Sequence, residues 1–344
     1  MPRVRIADLV RATGLSRSTI DRALNKRGSV HARTRALIEE TYRRLAQSTL
    51  PERSAGAVDV AVRVGRGMAQ QLHRAWHSGG FTGRFLDLEG APDATVVQEV
   101  ARLCETVDRP LVLTAKNTVP LVDLLQAARE RGKRVVALIS DLAPEARDAF
   151  VGIDDRAAGR TAAWLLARAT GEQPVKVGVV VGDPAFRCHE DREIGFRTAL
   201  RAHHRHLALV AEAQGEDRAE TTRDAVAAML AREPDLAAIY NVGGGNAGLA
   251  EALRTSGRAG RILLVAHEVN AVTGPLLREG LVTFALAADP AVLLAEAVRL
   301  ATAPGEGEER TVRCFDFAVY TPCNVPRLGL AGPGRSAEPR TDAF

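Results

Sequence analysis

The chain has 344 residues, 46% of them hydrophobic and 4% aromatic, and a formal net charge of +4. That length exceeds one ordinary core and predicts two or three domains. The apolar content excludes general disorder, and so few rings argue against a sugar site built mainly of stacked aromatics and against a stacking platform for single strands. The charge is uneven: residues 1–50 hold 11 Lys and Arg against 4 Asp and Glu, the remainder 35 against 38. A basic head on a slightly acidic body is the footprint of a nucleic-acid reader joined to something else. Cys104, Cys188, Cys314 and Cys323 lack C-x-x-C spacing and read as reduced thiols. The start, MPRVRIADLV, has no apolar signal region, and no run reaches the roughly 18 apolar residues of a membrane span. A cytoplasmic location, with no membrane partner, is therefore expected.

In chain order, Ile6 to Asn25 reads as two short helices around Thr13-Gly14-Leu15-Ser16. Ile6, Leu9 and Val10 repeat at helical spacing, as do Ile20, Ala23 and Leu24. Gly14 suits a sharp turn and Ser16 an N-cap. The outward positions of the second helix are then Arg17, Ser18, Asp21 and Arg22, donors on a face that a major groove admits. A third helix is predicted over Thr34 to Leu45, its start placed to meet a phosphate, with Arg33 and Arg35 as phosphate contacts or plain surface charge. Residues 1–47 are read as this head and 48–57 as a linker containing Pro51, Ser54 and Gly56.

From Val58 short apolar runs alternate with amphipathic helices. The strands are VDVAVRV, GRFLDL, PLVLTA, RVVALIS, FVGI, VKVGVVV, HLALVAEA, LAAIY, RILLVA, LVTFALA and TVRCFDFAVY. Long helices fall between most of them, notably Asp155 to Ala169, Asp191 to His203 and Asn246 to Thr255. This alternation predicts an α/β core of two doubly wound parallel-sheet lobes, since one sheet of ordinary size cannot hold so many strands. The core spans 58–330, the first lobe about 58–156 with 284–310 and the second about 157–283 with 311–330. Residues 331–344 form a tail.

The run Ala12-Thr13-Gly14-Leu15-Ser16, then Thr19-Ile20, Arg22 and Leu24-Asn25, resembles the DNA-binding signature of the lac repressor family, and the likeness continues through Val30 and Ala32-Arg33-Thr34-Arg35. It covers about the first 45 residues closely; the rest resembles the family in element order, with a core like that of type I periplasmic binding proteins. The resemblance implies a homodimeric repressor on a near-palindromic DNA operator, controlled by a sugar or polyol bound between the lobes. Its DNA-contacting residues would be Arg17, Ser18, Thr19, Arg22, Asn25, Arg33 and Thr34. The linker departs from the family: Pro51 is followed by Glu52-Arg53-Ser54-Ala55-Gly56-Ala57, with no Leu to wedge into the minor groove.

Open parallel sheets bind ligands at the carboxyl ends of their strands. The polar residues there are Arg66, Asn117 and Asp141, then Glu190, Arg192, Asn241, Asn246 and Glu268, with Asp289 in the last loop. Such a set can satisfy many hydroxyls; each residue could equally be a turn residue or helix cap. The resemblance assigns effector contacts to Asp141, Arg192, Asn241 and Glu268. A rival reading comes from Gly243-Gly244-Gly245-Asn246-Ala247-Gly248, which satisfies G-x-G-x-x-G between a strand and a helix, with Glu268 ending the next strand. That pattern belongs to a dinucleotide-dependent enzyme. His203, His204 and His206 fit no zinc spacing, and no nucleophile elbow is present, so no metal, cofactor or catalytic residue is expected.

Overall fold

The computed structural model describes residues 9, 10, 13–24, 30, 31, 34, 37, 38, 41, 56–303 and 311–326. Asn25, Arg33, most of the linker and the tail lie outside this set.

In the head, Gly14 takes the left-handed conformation (φ 67°). Ser16 caps helix α1 (Arg17–Leu24): its Oγ accepts from the Thr19 amide at 3.2 Å. Leu9, Ile20, Ala23 and Ile38 are buried against one another, with Val10, Leu15 and Val30 beside them. Arg17, Ser18 and Arg22 stay exposed, while Thr19 and Thr34 are half-buried.

The core strands are β1 (Val58–Val62), β2 (Gly83–Asp87), β3 (Leu111–Thr114), β4 (Val135–Leu138), β5 (Ala149–Ile153), β6 (Val175–Val181), β7 (Leu207–Gln214), β8 (Leu236–Asn241), β9 (Leu263–His267), β10 (Phe284–Ala287), β11 (Thr311–Phe315) and β12 (Ala318–Tyr320). The helices are α2 (Arg66–Ser78), α3 (Asp93–Cys104), α4 (Val119–Glu130), α5 (Asp155–Thr170), α6 (Arg187–His203), α7 (Ala219–Arg232), α8 (Asn246–Thr255), α9 (Thr273–Arg278) and α10 (Pro290–Thr302). They build two six-stranded sheets, ordered β11-β5-β4-β3-β1-β2 and β12-β10-β9-β8-β6-β7. The strand pairs β1–β2, β1–β3, β3–β4 and β4–β5 are parallel, as are β6–β7, β6–β8, β8–β9 and β9–β10. Strands β1, β3 and β4 are buried throughout, which is why they are apolar but for Asp59 and Thr114. The helices bury one stripe, such as Val96, Val100, Leu103 and Cys104 of α3.

The chain divides into two compact units: residues 1–64, 69–152 and 289–315, and residues 65–68, 153–288 and 316–344. Two expectations are corrected here. LVTFALA stays in the second sheet, because β10 pairs with β9; the crossing comes at Ala288–Asp289, where Asp289 caps α10. TVRCFDFAVY is two strands: β11 edges the first sheet and β12 pairs antiparallel with β10 in the second.

Within the first sheet, the fully buried carboxylate of Asp59 on β1 takes two bonds from its cross-strand neighbour Arg84 on β2 (3.0 and 2.7 Å) and lies 3.4 Å from Arg109 Nη1. Lys133, also buried, donates to the Leu103 and Thr106 carbonyls, and burial holds its pKa below the usual lysine value.

Candidate functional site

The second unit gathers its polar side chains where β6, β8 and β9 end. Helices α5 and α6 meet there at two glycines. A Cβ on Gly159 would lie 2.8 Å from the Phe196 nitrogen and closer still to the Arg192 carbonyl oxygen; one on Gly195 would be 2.9 Å from Arg156 Cα. This close approach lets Arg192 Nε donate to Asp155 Oδ1 at 2.7 Å, while Nη1 donates to the Val242 carbonyl at 2.9 Å. Both side chains are buried. Burial pushes the Asp155 carboxyl up to about 6 against the opposing pull of Arg192, and Arg192 itself is held above its usual value by Asp155 and its other neighbours. The result is a guanidinium of fixed direction at the edge of the sheet.

Asn241, the last residue of β8, is fully buried. Its Nδ2 donates to the Gly244 carbonyl at 2.8 Å and to Asn246 Oδ1 at 2.9 Å, while its Oδ1 has no partner. Glu268 follows β9 with left-handed backbone (φ 68°) and accepts from Asn270 Nδ2 at 3.1 Å; burial raises its pKa. Ile139, at the matching place after the fourth strand of the first sheet, is also left-handed (φ 67°). Such backbone is costly for a β-branched residue and collects at functional sites. Beside Asn241, Tyr240 Oη and His267 Nε2 share a hydrogen bond at 2.8 Å, and burial holds the His267 pKa well below the usual histidine value. His189 lies buried 3.7 Å from Asp217. Burial lowers its pKa, but the Cys188 sulfur and Asp217 outweigh this and carry it to about 9.

The residues predicted from sequence are thus placed unequally. Arg192, Asn241, Asn246 and Glu268 come together in the second unit. Glu190 is exposed on the first turn of α6, and Arg66 is exposed on the first turn of α2. In the first unit, Asn117 Oδ1 accepts from the Ala143 amide at 2.8 Å. Asp141 is engaged by a partner the sequence did not suggest: Arg147 donates to both its oxygens, at 2.5 and 2.7 Å, and Leu142 N adds a third bond. Arg147 is itself buried, with Nη1 left unpartnered. Asp289 accepts from the Ala291 amide, the helix-cap alternative. Asp155, Asp217, His189, Arg147 and Asn270 were missed. Only the acid at the start of a long helix offered a signal, for Asp155.

The glycine run is filled by protein. Gly244 N donates to Asp217 Oδ1 at 2.6 Å. The space beside Gly243 holds that same carboxylate and His189 Cε1, and the space beside Gly245 (φ 73°) holds Thr222. A carboxylate stands where a pyrophosphate would need to approach the helix start, and like charges repel there. The dinucleotide reading loses its chemical basis at this loop. Among the described residues no group of three or more His, Cys, Asp or Glu could hold a metal ion, and no helix is long and apolar enough to cross a membrane.

A sequence model described as periplasmic binding protein domain matches residues 111–309. The chain belongs to this family. A D-ribose/D-allose-binding protein of Pseudomonas aeruginosa is 28% identical over 179 residues, 49% of this chain and 54% of the relative, so the match spans about half of that protein. Among solved structures, an ABC transporter solute binding protein from Burkholderia graminis in complex with D-arabinose has TM-score 0.70 at 18% identity, covering 78% of this chain and 96% of its own. A periplasmic solute binding protein from Actinobacillus succinogenes with bound D-allose has TM-score 0.67 at 17% identity, covering 78% and 98%. These likenesses establish the two-lobed α/β fold of the family. The cytoplasmic location expected from the sequence is contradicted: the matched family is described as periplasmic, as is the Actinobacillus protein.

Proposed function

We propose that the core binds a small polyhydroxylated molecule, a sugar or polyol, and that the N-terminal head reads double-stranded DNA under its control, in the manner of the lac repressor family. The observation that carries the first half is the constellation of Arg192, Asn241, Asn246 and Glu268: an anchored donor, an unpartnered amide oxygen and a carboxylate at the carboxyl ends of neighbouring strands. Hydroxyl groups, which both donate and accept, answer all three. The sugars named with the relatives make D-ribose, D-allose and D-arabinose the first probes. Calorimetry on the full chain tests this half; Arg192→Ala abolishes binding if the assignment holds.

The second half is supported by the small apolar cluster of Leu9, Ile20, Ala23 and Ile38, with Arg17, Ser18 and Arg22 left outward beside a capped turn. A homodimer on a near-palindromic operator completes this reading, with Thr19, Asn25, Arg33 and Thr34 supporting the base-reading residues. Selection from random duplex DNA, followed by gel mobility shift, tests it. Arg22→Ala costs about 1–3 kcal/mol on the selected site only, and Arg33→Ala weakens all sequences alike and flattens the salt dependence. Failure to select any sequence would leave the second reading, a solute receptor without a DNA role, which the names of the relatives favour.

A further inference from the structure

The glycine run Gly243 to Gly245 is left without a ligand to cradle, yet its geometry is specific. Asp217 follows Glu216, and both residues hold left-handed backbone (φ 59° and 52°). This turn drives the Asp217 carboxylate against the loop, where Gly182 and Gly243 leave room for it. Gly244 N is bound by Asp217 Oδ1, and the carbonyl of the same Gly244 accepts from Asn241 Nδ2. A carbonyl oxygen can only accept, so the atom of the Asn241 amide that faces Gly244 must be the nitrogen. Its second N–H goes to Asn246 Oδ1. Both donors are spent inside the protein, and the oxygen remains buried and unpartnered.

We infer that Asp217 is a positioning residue for the candidate site. Acting through Gly244, it locks the Asn241 amide with its oxygen as the unpartnered end, so that the site demands a hydrogen-bond donor there and refuses a carboxylate. The inference rests on the sugar-binding reading of this site. It also assigns a purpose to the glycines: a Cβ at Gly243 would occupy the place of the Asp217 carboxylate. A buried acceptor left unmet is costly, and a hydroxyl that meets it recovers that cost, whereas an anionic oxygen adds repulsion.

The test has two arms, both on the full chain with Asp217→Ala, Asp217→Asn and the core variant Val226→Ala as a destabilised control. The first is hydrogen exchange of the segment 242–248 and needs no added molecule. Faster exchange of the Gly244 amide is expected in Asp217→Ala, with near-normal protection in Asp217→Asn, whose amide oxygen still accepts. The second is calorimetry with D-ribose and with D-ribonate, which differ in ring closure and in presenting a hydroxyl or a carboxylate, so the change in their ratio between variants is what reports on the amide. The wild type prefers D-ribose by about a hundredfold; Asp217→Ala cuts that preference by at least about tenfold, because the freed amide can turn its nitrogen outward. Asp217→Asn and Val226→Ala keep the preference. Unchanged Gly244 exchange in Asp217→Ala overturns the positioning role, even if no sugar binds. An unchanged D-ribose to D-ribonate ratio overturns the donor demand, and so does an oxygen satisfied by a resident water alone, which would leave the wild type without preference. Wild-type protein that binds neither probe nor any aldose or polyol removes the sugar reading, while the exchange arm still decides the role of Asp217.

Discussion

Replacing Gly159 with Ala separates two opposed effects. Alanine in a helix interior is favoured over glycine by about 1 kcal/mol, so propensity alone predicts a more stable protein. The crossing of α5 and α6 predicts the reverse. The added Cβ would stand 2.8 Å from the Phe196 nitrogen and closer to the Arg192 carbonyl oxygen, where ordinary contact begins at 3.4 Å. Both obstacles are backbone, so no side chain can swing away, and the helices must part by at least about 0.6 Å. A gap of that size forfeits a quarter to a half of the dispersion attraction along the seam, and overpacking of this kind costs about 1–3 kcal/mol. After the propensity gain, a net loss of about 1 kcal/mol is expected. Arg192 is carried on the displaced helix, so its bond to Asp155 lengthens too. Urea unfolding followed by Trp164 fluorescence, in a Trp76→Phe background, reads the second unit, since Trp164 lies on α5. Gly195→Ala should behave alike, and the double variant should lose less than the sum, because helices parted by one Cβ already admit the other. A Gly159→Ala protein that gains about 1 kcal/mol would refute the close crossing.

Asp155, pushed up to about 6 from 3.8, contributes stability that is full below about pH 4 and lost as pH rises through 6, on the order of 3 kcal/mol; in urea titrations, a difference between wild type and Asp155→Asn that stays constant from pH 4 to 7 would contradict this. Asp59→Ala leaves Arg84 and Arg109, both partly exposed, without their shared carboxylate and should cost about 1 kcal/mol by thermal unfolding, with a smaller further loss when Arg84→Ala is added; simple additivity would count against the pairing. Tyr240→Phe removes the hydrogen-bond partner of His267 Nε2 and should cost about 1–3 kcal/mol, and an unchanged melting temperature would show another partner takes its place. Ser16→Ala removes the cap on α1 and should cost the head about 1 kcal/mol, visible as lost helicity at 222 nm on mild heating.

The order of strands and helices could be read from the sequence because each buried parallel strand is an apolar run and each helix buries one stripe. What escaped depends on pairing across distance. Nothing local in Phe315 to Ala318 marks the break between β11 and β12; alternation continues through it, and only the partners differ. Helix α6 begins at Arg187, four residues before the predicted start, with Phe186 in place of a polar cap. At the site, Arg192, Asn241, Asn246 and Glu268 were found because strand ends collect polar groups. Their supports were hidden: Asp155 is 37 positions from Arg192 and Asp217 is 27 from Gly244. The glycine run suggested a phosphate because sequence reveals missing side chains, not what fills their space.

The closing ribbon of β11 and β12 has a consequence for how the chain is made. Each sheet receives its final strand only from residues 311–320: β11 covers the flank of β5, and β12 the flank of β10. Until that segment leaves the ribosome, the edges on these two flanks are the apolar β5 (AFVGI) and β10 (FALA), better templates for aggregation than the charged β11 and the three-residue β12 that take their place. A nascent protein halted at residue 310 would have two such edges at once, so its solubility in the cell should hinge on chaperones that hold it until the last few strands arrive.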